Sequence, residues 1–313
     1  MEKIRTKRHG LSKEVSKNLF VLSILAFPLI MFAVFYIGIN VNSILLAFRS
    51  YNIQGEWKWT GFENFRRFIL NMFGKTENVY YRNGLITSLK MYSINLVICM
   101  PLYIFFSYIL FKKFFGHKTM RAIIMIPQIL SGFIVCLVFK KFVSMGVPSL
   151  MKSVFSLDSF PDMMTHPSYA FGTVIFFMIW SSFSTSLIVY PNAMKEIDDG
   201  ILEAARIDGV NDMFRELWYI ILPLIYPTIS MFLITGFAAI LSTAGPVPTF
   251  YYKDAPMETI TMGYLYWTQV LDATTYNGFP QLAAGGLIMT LVVAPLTLLL
   301  KWFLEKFGPV AEY

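Results

Sequence analysis

Residues Pro191 to Leu222 read PNAMKEIDDGILEAARIDGVNDMFRELWYIIL and lead directly into Pro223. Dense mixed charge fills this stretch, whereas the residues on both sides are apolar enough to lie in a bilayer. Asp198 or Asp199 can cap a short helix that starts near Ile201, by accepting a hydrogen bond from an otherwise unpaired N–H. Asp208-Gly209 ends it, because glycine tolerates the left-handed conformation common just past a helix. Asn211 or Asp212 can cap a second helix, in which Phe214, Leu217, Trp218 and Ile221 repeat at i, i+3, i+4 and i+7 and share one apolar face. The spacing predicts a short helix, a sharp turn and a second helix that feeds an apolar span. Connections between elements have a median of about 4–6 residues, so a structured insert of this size calls for a reason. Ala204 and Ala205 permit close backbone approach by a partner, and Glu203 supplies a fixed negative charge for it to meet.

Outward from this stretch, the composition sets the class. The chain is 56% hydrophobic and 17% aromatic but only 14% charged, with a mean hydropathy of +0.57. Soluble domains carry about 25% charged residues, so this is a polytopic membrane chain of all-α type. The net charge of +7 sits mainly beside apolar spans, which points to membrane topology and a lipid bilayer rather than nucleic acid. Cys99 and Cys136 fall inside apolar spans, where a thiol serves as a packing residue. His9, His117 and His166 stand apart without ligand-like spacing, so no metal site is expected.

Apolar spans are expected at about 19–48, 85–111, 122–139, 169–190, 223–244 and 282–300, all within one transmembrane domain, 1–313, whose loop is 191–222. The first is far longer than the apolar core of about 7–15 residues in a cleavable signal peptide, so it reads as a retained helix, with a kink expected at Pro28. Phe62, Phe65, Ile69 and Met72 fall on one face of a short helix, read as lying at the membrane surface or packed on protein. Lys140 and Lys141 are read as the end of the third span, and Lys301 and Lys306 as a short tail. Both termini fall on the side that carries fifteen Lys and Arg against ten on the other, which predicts cytoplasmic termini.

No catalytic constellation accompanies these spans. Gly74-Lys75-Thr76 lacks the glycine that a phosphate-binding loop needs at position 69, which is Ile. The span interiors are nearly free of ionisable groups, which argues against proton relays. A six-span protein without a relay needs either a passive pore or energy supplied from outside.

Glu203-Ala204-Ala205, three residues, Gly209, ten residues, then Ile220-x-Leu222-Pro223 resembles the EAA loop of ABC importer permeases in the residues it carries. Gly61-Phe62-Glu63-Asn64-Phe65, the Pro127 region and Pro223-x3-Pro227-Thr228 are similar to the carbohydrate-uptake permeases of the maltose-permease type, over roughly residues 20–305. The chain lacks the extra N-terminal helices and the large inserted external domain of some members, and so looks like a short form. The resemblance implies a multi-pass subunit of a prokaryotic inner membrane that pairs with a second homologous permease, two ATPase subunits and an extracytoplasmic substrate-binding protein. It implies that the chain is not itself an enzyme and binds no cofactor, with ATP and Mg held by the partner ATPases. It also implies that Glu203 anchors the ATPase, that Ala204 and Ala205 form the contact and that Gly209 makes the turn.

Transport sites lie where spans meet near the midplane. Candidates for a sugar path are Tyr92 and Asn95 in the second span, Trp180, Ser181, Ser184 and Thr185 in the fourth, and Thr235, Ser242 and Thr243 in the fifth. Small polar residues also serve helix packing in membranes, so each has that alternative. Other cargo, such as glycerol-phosphate, and an ATP-independent channel or carrier are the competing readings.

Overall fold

The computed structural model describes residues 13–51, 56–74, 78–156, 160–273 and 278–309. Lys3, Arg5, Lys7, Arg8, His9 and the Lys75-Thr76 pair lie outside the described residues. In chain order, α1 is Lys17–Ala47, and a two-stranded hairpin follows, β1 Arg49–Tyr51 paired antiparallel with β2 Trp57–Trp59. Next come α2 Glu63–Phe73, α3 Val79–Phe111, α4 His117–Ile129, α5 Gly132–Phe155 and α6 Pro167–Lys195. The charged loop contains α7 Asp199–Ile207 and the start of α8 Met213–Leu224, which leads into α9 Tyr226–Ala238. The chain closes with α10 Val247–Tyr251, α11 Met262–Asp272 and α12 Gly278–Phe307.

Among the described residues, α1, α3, α5, α6 and α12 are each long and apolar enough to cross a membrane, and the α8–α9 pair makes a sixth if taken as one span. The all-α polytopic fold expected from the composition is therefore present, with the small hairpin added. That pair bends by 68° at Ile225, between Pro223 and Pro227. Proline lacks the N–H that continues the helical ladder, and its ring crowds the preceding turn.

Several boundaries differ from the hydropathy reading. The third span does not run through 122–139: backbone at Leu130 and Ser131 is extended, separating α4 from α5 three residues after Pro127. Lys140 and Lys141 do not end it either, because α5 continues through a π-helical turn at Phe142–Gly146 to Phe155. Lys140 stays in the helix by donating to the Phe250 carbonyl on α10. Lys301 and Lys306 belong to the last turns of α12, where Lys301 pairs with Glu305 at 3.6 Å and Lys306 lies 4.6 Å over the Trp302 ring. Pro28 sits in a helix that carries on to Ala47, with a π-helical turn at Phe32–Gly38 beyond it.

Two buried clusters divide the bundle along its length. One gathers Phe68 of α2, Met91 of α3, Phe177 of α6, Phe250 of α10 and Tyr264 of α11. The other, at the loop end, gathers Tyr103 and Tyr108 of α3, Tyr190 and Met194 of α6, Leu202 of α7 and Ile221 and Ile229 of α8 and α9. The helix α2 exists as expected, but its inner face is Asn64 and Phe68, while Phe62 and Ile69 are exposed. At the edge of the first cluster, Lys253 pairs with Asp272 at the end of α11, and the carboxylate raises the lysine above its ordinary pKa.

Candidate functional site

The loop helix α7 is defined at both ends by short-range hydrogen bonds. Asp198 is extended (φ −61°, ψ 131°), and its Oδ1 accepts from the Gly200 N–H at 2.6 Å, which satisfies a donor that the helix cannot. At the other end Gly209 takes φ +91°, the Gly209 N–H donates to the Arg206 carbonyl at 3.1 Å and the Val210 N–H to the Ala205 carbonyl at 2.9 Å. This is the hydrogen-bond pattern of a helix stopped by a left-handed glycine. Asp199 in the first turn and Arg206 in the last complement the helix dipole. The helix begins two residues earlier than the pattern suggested. Asp212 occupies the cap position of α8, but its side chain makes no capping hydrogen bond.

The faces of α7 separate cleanly. Leu202 and Ala205 are buried, whereas Glu203, Ala204 and Ile207 are exposed, Ile207 at 86%. Ala204 and Ala205 thus do not form one outward surface: Ala205 packs on its own chain. Ile207 joins the outward face, and a large exposed apolar side chain one helical turn from the Glu203 carboxylate is the signal that could have found it. Of the predicted apolar face of α8, Leu217 and Ile221 are buried, while Phe214 and Trp218 are exposed.

Four of the candidate path residues converge. Tyr92, Asn95, Thr185 and Thr235 line one cavity of about 400 Å³ between α3, α6 and α9. Tyr103, Ser182 and Tyr190 line it too and were not among the candidates. Thr243 lines an adjoining space of about 200 Å³ that also borders Tyr92 and Asn95. The Tyr92 hydroxyl donates to the Leu233 carbonyl at 3.2 Å, and Gln128 Nε2 donates to Thr185 Oγ1 at 3.4 Å. Among the described residues, no charged side chain lines either space.

The remaining candidates lie elsewhere. Ser184 is buried and donates to the Ile124 carbonyl, so it locks α6 to α4. Trp180 packs on aromatic neighbours, stacked on Phe139 at 6.2 Å and edge-on to Phe177 at 5.9 Å. Ser181 lines a cleft at the α4–α5 break with Pro127 and Gln128. Ser242 faces a separate cleft against α11 and α12.

The chain is similar to known proteins over most of its length. Residues 72–311 match the family described as the binding-protein-dependent transport system inner membrane component. The multiple sugar-binding transport system permease protein MsmF of Streptococcus mutans is 26% identical over 62% of this chain and 66% of its own length. The probable ABC transporter permease protein YesP of Bacillus subtilis is 25% identical over 82% of this chain and 81% of its own. In fold, the chain is similar to a chain in the crystal structure of a bacterial ABC transporter involved in the import of the acidic polysaccharide alginate. The TM-score is 0.78 at 18% identity, over 94% of this chain and 98% of the other. With most of its length matching, this multi-pass chain belongs to the family of inner membrane components of binding-protein-dependent transport systems.

Proposed function

We propose that the chain is a membrane-spanning subunit of an ATP-driven importer that moves a sugar or oligosaccharide into the cytoplasm. It works beside a second, homologous permease and two ATPase subunits that hold ATP and Mg, and it receives cargo from an extracytoplasmic binding protein. Both termini and α7 face the cytoplasm, as the distribution of Lys and Arg supports.

The observation that carries this reading is the division of α7 into two faces. Leu202 sits in the same buried cluster as Tyr103, Tyr190 and Ile229, residues of the helices that wall the cavity. The opposite face presents Glu203, Ala204 and Ile207 outward. A short helix fixed by both caps, apolar inward and open outward, is a lever that an ATPase can push. The cavity supports the cargo class. Tyr92, Tyr103 and Tyr190 offer aromatic surface, while Asn95, Ser182 and Thr185 offer amide and hydroxyl groups. Sugars are recognised by that combination. The uncharged lining favours a neutral sugar over glycerol-phosphate, because an unpaired ionised group in such a space is strongly disfavoured.

The test is reconstitution. The purified chain alone hydrolyses no ATP, whereas the full assembly in lipid does, with stimulation by the loaded binding protein. Glu203→Lys, in an assembly that forms at the normal level, abolishes that stimulation. Stimulation that survives the charge reversal removes the coupling role from α7.

A further inference from the structure

The charged loop is joined covalently to two walls of the cavity: α6 leads into α7, and α8 leads out into α9. The third wall, α3, has no covalent link to it. It packs against Leu202, Leu217 and Ile221 of the loop helices and is joined to them by an ion pair between Lys112, the residue that follows α3, and Glu216 on α8. Glu216 is only 7% exposed. Lys112 keeps 25% of its side chain accessible and lies 5.6 Å over the ring of Tyr108, which is fully buried. Separation of such a pair would leave a largely buried carboxylate without its nearest cation, which is costlier than loss of a surface pair. The pair is therefore costly to separate.

We infer that Glu216 is a positioning residue, which fastens α3 to the loop through Lys112 so that displacement of α7 moves all three cavity walls together. The inference rests on the proposed role of α7 in coupling. Asn95 on α3, Thr185 on α6 and Thr235 on α9 face one cavity. Without the pair, a push on α7 reaches Thr185 and Thr235 through the backbone but Asn95 only through neutral packing and hydrogen bonds, such as Tyr92 to the Leu233 carbonyl of α9 and Tyr103 to the Ile179 carbonyl of α6. The cavity would shear rather than open.

Two reporter positions read the two routes separately. Cys99 and Cys136 are both buried and are replaced by alanine. A single cysteine is then placed by Asn95→Cys or Thr235→Cys. The full assembly in lipid is labelled with a small maleimide, first free of nucleotide and then with ATP and orthovanadate. In the parent, nucleotide changes the labelling rate at both positions by about fivefold or more. Glu216→Gln keeps the change at Thr235→Cys and loses it at Asn95→Cys, and the exchange Lys112→Glu with Glu216→Lys restores it.

If Glu216→Gln does not assemble, Lys112→Gln, at the more accessible partner, is read on the same comparison. A change at Asn95→Cys that persists in either single variant overturns the inference. So does a loss that the exchange fails to restore, which would assign the pair to local packing, and so does a parent in which neither position responds. Glu203→Lys is the separate control: responses at both reporters that survive it refute the docking role of α7 itself, on which the inference depends.

Discussion

The side-chain amide of Asn64 donates to the carbonyls of Ala47, at 2.9 Å, and Arg49, at 2.7 Å. Asn64 is 4% exposed and Ala47 fully buried, so this one side chain pins the start of α2 to the end of α1 and the start of β1. Gly61, at φ +59°, makes the turn that delivers it. Asn64→Leu fills similar space but leaves two carbonyls without a donor. We expect a loss of about 1–3 kcal/mol, read as a lower thermal midpoint of the purified chain in detergent. An unchanged midpoint would mean that water takes over both carbonyls.

Gly209 ends α7 in the left-handed region, where a side chain costs about 1–2 kcal/mol. Open space surrounds the position of an added Cβ, so backbone strain is the only penalty to consider. Gly209→Val should shift the loop away from its present conformation by a factor of about 5–30. The expected outcome is a matching fall in stimulated ATP hydrolysis by the assembly, with the thermal midpoint of the chain nearly unchanged. Equal activity would show that the turn is not needed for coupling.

The two alanines of α7 separate docking from folding. Ala204 is exposed, so Ala204→Arg should change the stability of the isolated chain by no more than about 0.5 kcal/mol, while co-purification with the ATPase subunits is lost. Ala205 is 9% exposed, so Ala205→Arg forces bulk into the chain's own packing at a cost of about 1–3 kcal/mol. It should lower the thermal midpoint before any partner is added. Identical behaviour of the two variants in both assays would contradict the two-faced reading.

The contrast between these neighbours shows where sequence reading reaches its limit. Caps are local: Asp198 and Gly209 announced the ends of α7 because both signals act within a few residues. Hydropathy is equally direct, so the long apolar helices were expected. Direction and partnership are not local. Hydropathy has no term for the extended backbone at Leu130 and Ser131, so one expected span proved to be two helices. The polar stretch after 244 concealed α11, whose residues Tyr264 and Leu265 are buried by contacts made far along the chain. Lys112 and Glu216 lie on separate elements, and nothing in their spacing marks them as a pair. Trp180 and Ser184 looked like path residues by type, yet their neighbours on α4, α5 and α6 use them for packing.

Asn95 and Thr235 face the same cavity but differ in what they have left to offer. The Thr235 hydroxyl donates to the Met231 carbonyl of its own helix at 2.8 Å, so its donor is already occupied. Asn95 carries an amide with two donors and an acceptor, set beside Tyr92 in both adjoining spaces. A hydrogen bond contributes a net of about 0.5–1.5 kcal/mol, so an amide that makes two to a passing sugar is worth about fivefold or more in apparent affinity. Asn95→Leu should therefore raise, by about that factor, the concentration of loaded binding protein needed for half-maximal ATP hydrolysis. Thr235→Val should leave it within about twofold, since only a hydroxyl already satisfied by the helix is removed. If the valine variant is the impaired one, cargo displaces the helix hydrogen bond and the α9 wall carries recognition. If neither variant responds, recognition lies on the partner permease.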